Sequence, residues 1–508
     1  MKPVTKYKGS IKLAAIGDAL GWITEFEKST DSLKTKYKTE YISNFYEWKK
    51  SVGGRFNGYV DYLEKGSYSD DTQLLLSVAR AIKTDGSVDH DYFSKIELPN
   101  WLLYSRGAGR TIKNAARKIV RKSAKWNQNF FSFKAGKVIV DYRESGANGA
   151  AMRILPIALA NFGDIDKIKE EIFANSIVTH GHPRAIIGAI LYGYSIDTIL
   201  KFRPENFTYE TFLTELGKGI HNKLSIPFLD KPRFKAWESE WDKKAKYPFR
   251  ELFTLTLDET QQYLRDAYKL LTNKSKDNIA LEKLGCFNPD TKGSGISTVI
   301  AGIYFCCKYL HEPIKAIEQA VNSIGTDTDS IAAFAGGLVG ALHGDNIIPG
   351  RFNKVQDFDY LEKVAIRLLE ISEGRAKPNK IPVNNNIKSI NNIGSDDFVL
   401  GEHVYFEPLG FGTLKKIDRQ NTLTRGKYNV ILDVDFEIGQ SCRFAKILNK
   451  TEVDYYPMSD IDDSKLYNFL KLDFKTKDRI DKFVESLNDT QTEEFMRIIF
   501  QIGHNFKS

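Results

Sequence analysis

The chain has 508 residues, 42% hydrophobic, 12% aromatic and 27% charged, which excludes bulk disorder, collagen-like repeats and coiled coil. That length suggests about three domains and a core needing no disulfide or metal staple. Lys and Arg number 73 against 65 Asp and Glu, and the resulting formal charge of +8 permits anionic partners without requiring them.

Cys286, Cys306, Cys307 and Cys442 form no CxxC pattern, Met1–Ser10 is polar and basic, and no long apolar run occurs. A cytoplasmic protein with reduced thiols and no membrane span is expected.

The first element is helical, with Ile11, Ala14, Ala15, Ala19 and Trp22 at helical spacing among small residues. Leu74, Leu75, Val78, Ala79 and Ile82 make a second stripe. Between Leu98 and Val140 lie ten Lys or Arg and no Asp or Glu. Arg106, Arg110, Lys113 and Arg117 recur there at helical spacing, which predicts one positive face within the basic stretch 106–137. That face suits an anionic substrate such as modified nucleic acid; a solvated surface is the other reading. Further helices are expected around Met152, Leu155 and Leu159 (tolerating Pro156), over Ala185–Tyr194, over Thr298–Tyr309 and over Ile331–Leu342. Residues 200–285, rich in charge and aromatics, read as an insertion forming an irregular helical cap.

Residues 373–397, with two Pro and a run of Asn, read as a linker after a helical domain over 1–372. The period then switches to two (Val404, Phe406; Val430, Leu432, Val434, Phe436), predicting a small β-module over 398–460. A helical tail is expected over 461–508.

Two acidic clusters stand out by context, Ser69-Asp70-Asp71-Thr72 and Asp327-Thr328-Asp329-Ser330, each directly before an apolar helix. Ser69 suits an N-cap, and carboxylates there face the positive helix end. Buried neighbouring carboxylates repel one another, a conflict that a divalent cation removes. Oxygen donors alone favour Mg²⁺, Mn²⁺ or Ca²⁺ over Zn²⁺. Solvated, N-capping aspartates are the other reading.

Taken in order, GDALG (17–21) with Glu25, YSDDT (68–72), NGAAMRILP (148–156), THGHPRA (179–185) and IGTDTDSIAA (324–333) resemble the ADP-ribosylglycohydrolase family, from about Ile11 to Gly344. The resemblance implies an all-α orthogonal helical bundle with two Mg²⁺ ions (Mn²⁺ possible) in a cleft. It implies hydrolysis of the bond at ribose C1″ between ADP-ribose and an acceptor, a protein side chain or nucleic acid. By motif position, Ser69, Asp70, Asp71, Asp327, Asp329 and Ser330 become metal ligands. Glu25, Asp70 and Asp329 become catalytic, and Asn148, Gly149, Met152 and His180 lie near ADP-ribose. Thr326 departs from the family's usual Gly, and Ser69 and Ser330 stand where Thr is common. Two other functions compete: an ADP-ribose-binding protein with weak turnover, and a metal-dependent hydrolase of another nucleotide derivative.

GEHVYFEPLGFGTLKKI (401–417) and KYNVILDVD (427–435) resemble SH3- or Tudor-like β-barrels, which implies a module recruiting protein or nucleic acid.

Overall fold

The helices that carry the fold are α1 (Pro3–Thr24), α2 (Asp70–Ala81), α3 (Arg110–Lys118), α4 (Pro183–Leu200), α5 (Phe249–Thr272), α6 (Gly295–Lys308), α7 (Thr328–His343) and α8 (Phe358–Ser372). Shorter helices join them, and two small hairpins interrupt them, β1 (Trp48–Val52) with β2 (Tyr59–Leu63) and β3 (Ser132–Ala135) with β4 (Val138–Asp141). The structure, a computed structural model, describes residues 2–378, 387–394, 398–449 and a few positions beyond 478. The expected tail over 461–508 lies almost wholly outside the described residues. Among the described residues no helix is long and apolar enough to cross a membrane.

α1 and α7 form the centre, and glycine sets how closely they pack. A Cβ on Gly17 would stand 2.2 Å from the Ala332 carbonyl oxygen, and one on Gly21 would stand 2.5 Å from Asp329 Cα. From the other side, a Cβ on Gly336 would meet the Leu13 oxygen at 2.1 Å, and one on Gly340 would meet Gly9 at 2.1 Å. Residues four apart share a helix face, so these pairs make one backbone-to-backbone seam. Ser10 Oγ donates to Gly337 O at 2.8 Å, and Thr328 Oγ1 donates to Gly21 O at 2.9 Å along it. Ile11, Ala15, Ile16, Leu338, Ala341 and Leu342 are fully buried around the seam. It brings the C-terminal end of α1, with Glu25, beside the N-terminal end of α7, with Asp327 and Asp329.

The single helix expected around Met152–Leu159 is instead two pieces, a 3-10 turn over Asn148–Arg153 and a short helix over Leu155–Ala160. Pro156 has no N–H to donate to Met152, so the helix restarts with the proline in its first turn. The basic stretch also departs from one face. α3 starts only at Arg110, while Arg106, before it, lies beside Asp61 and donates to Gln356 Oε1 at 2.9 Å.

The insertion over 200–285 is regular rather than irregular, ordered by aromatic packing. Trp237, Phe234 and Phe249 surround Phe173 with centroids 5.3 to 6.1 Å away. Trp241 Nε1 donates to Gly181 O at 2.9 Å, tying the insertion to the THGHPRA segment.

The C-terminal β-module is a four-stranded antiparallel sheet in the order β5 (His403–Phe406), β6 (Gly410–Asn421), β7 (Lys427–Phe436) and β8 (Ser441–Asn449). Among the described residues β5 and β8 remain edges of this sheet, so the expected closed barrel is not shown. Residues 387–394 pack on this sheet, with Ile390 and Ile393 buried and Ser389 bridged to Tyr405. One sheet face is spent on the helical domain. Phe406 and Phe444 lie edge-on to Tyr104 at 6.1 and 5.6 Å, and Ala445 N donates to Leu103 O at 3.2 Å. Gln440 Oε1 accepts from Arg80, and Ser441 N donates to Asp357 Oδ1 at 3.0 Å.

Candidate active site

α2 begins at the acidic cluster because a carboxylate on α1 caps it. Asp18 is fully buried and accepts from Ser69 N at 3.1 Å, Thr72 N at 3.0 Å and Thr72 Oγ1 at 2.6 Å. Ser69 Oγ accepts from Asp71 N at 3.2 Å, the N-cap expected for it. These bonds satisfy donors that a buried helix start would leave unpaired. Asp18 lies within GDALG (17–21), where a lone carboxylate inside an apolar helix is itself a signal of a buried partner.

Asp70 and Asp71 thereby face the start of α7 across a cleft of roughly 500 Å³. Ser330 Oγ donates to Asp71 Oδ2 at 2.8 Å, joining the two clusters directly. Asp329 Oδ1 accepts from Ser330 N at 2.8 Å, and Asn148 Nδ2 donates to Asp327 Oδ2 at 3.3 Å. Glycines allow the surrounding loops to come this close. A Cβ on Gly107 (φ +74) would stand 2.9 Å from Asp70 Oδ1, and one on Gly293 (φ +73) would stand 2.8 Å from Asp327 Oδ2.

Glu25, Asp70, Asp71, Asp327, Asp329 and Ser330 line this cleft together with Asn148, Gly149, Met152 and His180. Ser69 is fully buried behind them and is not a lining residue.

The charge pattern is strained toward protonation. Burial, then the Asp327 charge, pushes Glu25 up to about 8. Burial and the Asp18 charge push Asp70 up to about 7. Burial and neighbouring carboxylates hold Asp71 and Asp329 well above the ordinary carboxylate range.

Two cations oppose them, Lys113 toward Asp70 and Lys50, whose position in a polar stretch of sequence carried no signal. Lys50, on β1, has a buried Nζ with no hydrogen-bond partner among the described residues. The ammonium sits 3.8 Å from the Phe26 ring centroid and 4.8 Å from that of Trp22. Burial lowers its pKa, while Glu25, Asp329 and Asp70 act to raise it.

His180 brings a neutral ring to the same cleft. Burial, then the Arg153 charge, pushes His180 down to about 3, so its ring is uncharged at neutral pH. Arg153 donates to Thr179 Oγ1 at 2.9 Å, and Thr179 Oγ1 lies 2.8 Å from His180 Nδ1. Gly149 lets the ring sit close, since a Cβ there would lie 2.8 Å from His180 Cε1. His182 caps α4 through Nδ1, accepting from Arg184 N at 3.0 Å.

The donor set at the acidic end is carboxylate and hydroxyl oxygen, which fits a hard divalent cation. Among the described residues no group of three or more acidic, His or Cys side chains stands in a ready-made metal cluster.

The model of the ADP-ribosylglycohydrolase family matches residues 2–378. The ADP-ribosylhydrolase ARH3 of Xenopus tropicalis is 25% identical over 360 residues, covering 68% of this chain and 89% of that protein. The ADP-ribosyl-[dinitrogen reductase] glycohydrolase of Rhodospirillum rubrum is 27% identical over 215 residues, 42% of this chain and 63% of that protein. The uncharacterized protein YegU of Escherichia coli (strain K12) is 23% identical over 346 residues, 67% of this chain and 88% of that protein. The matched span ends after α8 and before the sheet, and it contains every residue of the cleft. With its helical domain and both aspartate clusters inside that span, the chain belongs to the ADP-ribosylglycohydrolase family, a family of metal-dependent hydrolases that remove ADP-ribose.

Proposed function

We propose that this chain frees ADP-ribose from a modified acceptor by breaking the bond at ribose C1″, using two magnesium ions, with manganese able to replace them. The observation that carries this reading is the meeting of two aspartate clusters in one cleft that also gathers Asn148, Gly149, Met152 and His180. Asp70, Asp71, Asp327, Asp329 and Ser330 would hold the ions, with Ser69 as a further oxygen behind them. When bound, such ions neutralise the clustered carboxylates and polarise ribose hydroxyls and the attacking water.

Departure of the leaving group builds positive charge at C1″. The carboxylates of Asp70 and Asp329 stabilise that charge in a buried setting where it counts most. Glu25 lines the cleft beside both aspartate clusters, where it would serve as base toward the attacking water or as a stabiliser of the charge at C1″. His180 presents an uncharged ring to the sugar. Asn148 and Met152 complete the wall that orients the sugar. The four free, buried cysteines take no part, and their reduced state suits a cytoplasmic setting.

The test is incubation with a panel of arginine-, serine- and nucleobase-linked ADP-ribose conjugates. ADP-ribose is released with Mg²⁺, release stops with chelator, and Asp329→Ala is inactive with unchanged far-UV circular dichroism. Release by Asp329→Ala at the wild-type rate overturns the assignment.

A further inference from the structure

The ten cations between Leu98 and Val140 divide in the folded chain. Arg106 lies beside Asp61, and Lys113 is half-buried toward Asp70. The other eight, Arg110, Arg117, Lys118, Arg121, Lys122, Lys125, Lys134 and Lys137, are exposed, and no ion pair involves any of them among the described residues. They form a connected surface. Arg110 and Arg117 lie two turns apart on one face of α3, and Lys118 to Lys125 continue beyond its end. The β3–β4 hairpin, bearing Lys134 and Lys137, packs beside α3. This surface runs into the cleft, because Arg110, Phe133 and Val140 line its mouth. Glu144 and Asp290 also line the mouth, so the basic track stops at the rim. Val120, Val138 and Ile139, at 62%, 63% and 70% exposure, stand bare among the cations.

We propose that this surface docks the phosphate backbone of a nucleic acid, so that the acceptor carrying ADP-ribose is a nucleic acid strand. The proposal rests on the ADP-ribose-removing activity of the cleft. A protein partner presents both charge signs, and its cations would face eight exposed Lys and Arg, against which stand only Asp141, already paired with Arg143, and the rim acids Glu144 and Asp290. A strand of phosphates is uniformly anionic and matches a surface on which exposed cations far outnumber acids. The exposed valines and isoleucine offer apolar contact to sugars and base faces between the phosphate contacts.

The test uses the full-length chain and a fluorescein-labelled single-stranded 20-mer DNA, followed by anisotropy between 50 and 200 mM NaCl. The probe variant is Arg117→Glu, Lys118→Glu, Lys122→Glu and Lys125→Glu together, all exposed and outside the cleft. A parallel Gln set at the same four positions guards against misfolding by charge reversal. Wild type binds with a steep salt dependence. Both sets weaken binding, the Glu set by at least about ten-fold at 50 mM, and each lost contact lowers the salt slope by about one. Both sets also lower kcat/KM for an ADP-ribosylated oligonucleotide and leave that for a small ADP-ribosyl conjugate unchanged. The proposal is overturned if wild type does not bind, if the variants bind equally, or if polyglutamate of equal charge competes as well as DNA. DNA binding as described with no hydrolysis of any conjugate would keep the docking surface and remove the proposed activity instead.

Discussion

Arg443, on the last strand of the C-terminal sheet, donates through Nη1 to Asp61 Oδ1 at 2.7 Å, and Asp61 is the cross-strand partner of Lys50. The same guanidinium donates to Tyr62 O at 2.6 Å and holds Asp433 with two bonds of 2.6 and 2.7 Å. Gln420 exchanges two bonds with the Val60 backbone, and Thr424 N donates to Phe56 O. The sheet, which lies beyond the family-matched span, thus grips the hairpin that delivers Lys50 to the aspartates.

Breaking this grip strands a buried carboxylate. Arg443→Met leaves Asp61, only 3% exposed, with Arg106 alone nearby, and removes both bonds to Asp433. The expected loss is about 3–5 kcal/mol by denaturant unfolding. Arg443→Lys recovers little of it, because an ammonium cannot fork across two carboxylates. A loss below 1 kcal/mol would show that the sheet is not anchored here.

The α1–α7 seam tolerates no added methyl. Gly21→Ala places Cβ 2.5 Å from the Asp329 backbone, and only separation of the helices relieves it. About 3 kcal/mol of destabilisation is expected, together with weaker divalent-cation binding as Glu25 and Asp329 part. Gly350→Ala, where nothing lies within 4 Å, serves as control and stays within about 0.5 kcal/mol.

Stability of the chelated protein should fall as pH rises. Glu25 at about 8 and Asp70 at about 7 hold protons more tightly in the folded state than at their ordinary 4.5 and 3.8. Their contribution is complete below pH 4, and it is lost as pH passes through 7 and 8. Thermal unfolding with chelator should give a Tm that declines between pH 5 and 9. Added Mg²⁺ should raise Tm more at the alkaline end, by mass action on the ionised cluster. A Tm independent of pH over that window would remove the picture of a strained acidic cluster.

Lys50 faces the carboxylates proposed to hold a divalent cation, so the two would compete. Lys50→Met keeps the contacts with Trp22 and Phe26 but removes the ammonium. Titration calorimetry should show Mg²⁺ bound several-fold more tightly, while the chelated variant unfolds at lower temperature at pH 8. Weaker Mg²⁺ binding would mean that Lys50 instead helps to shape the site.

The helical class, the five motifs and the two aspartate clusters were legible because each is a local pattern. An apolar stripe declares a helix from its own residues, and Ser69 before Asp70-Asp71 declares a helix start. Asp18 and Lys50 were not legible as site residues, because their roles depend on partners distant in the chain. The same holds for the sheet. Alternation foretold strands from Val404 to Phe436, but whether β5 meets β8 depends on twist and packing that no local period records.

The sequence by itself determined the family, the donor chemistry and where the basic residues cluster. Tertiary structure alone decided that glycines let α1 touch α7, that Asp18 caps α2, and that eight of ten cations stay exposed beside the cleft. The physical reason is that periodicity and capping are short-range, whereas burial, close approach and unpaired charge arise only when distant segments share one volume.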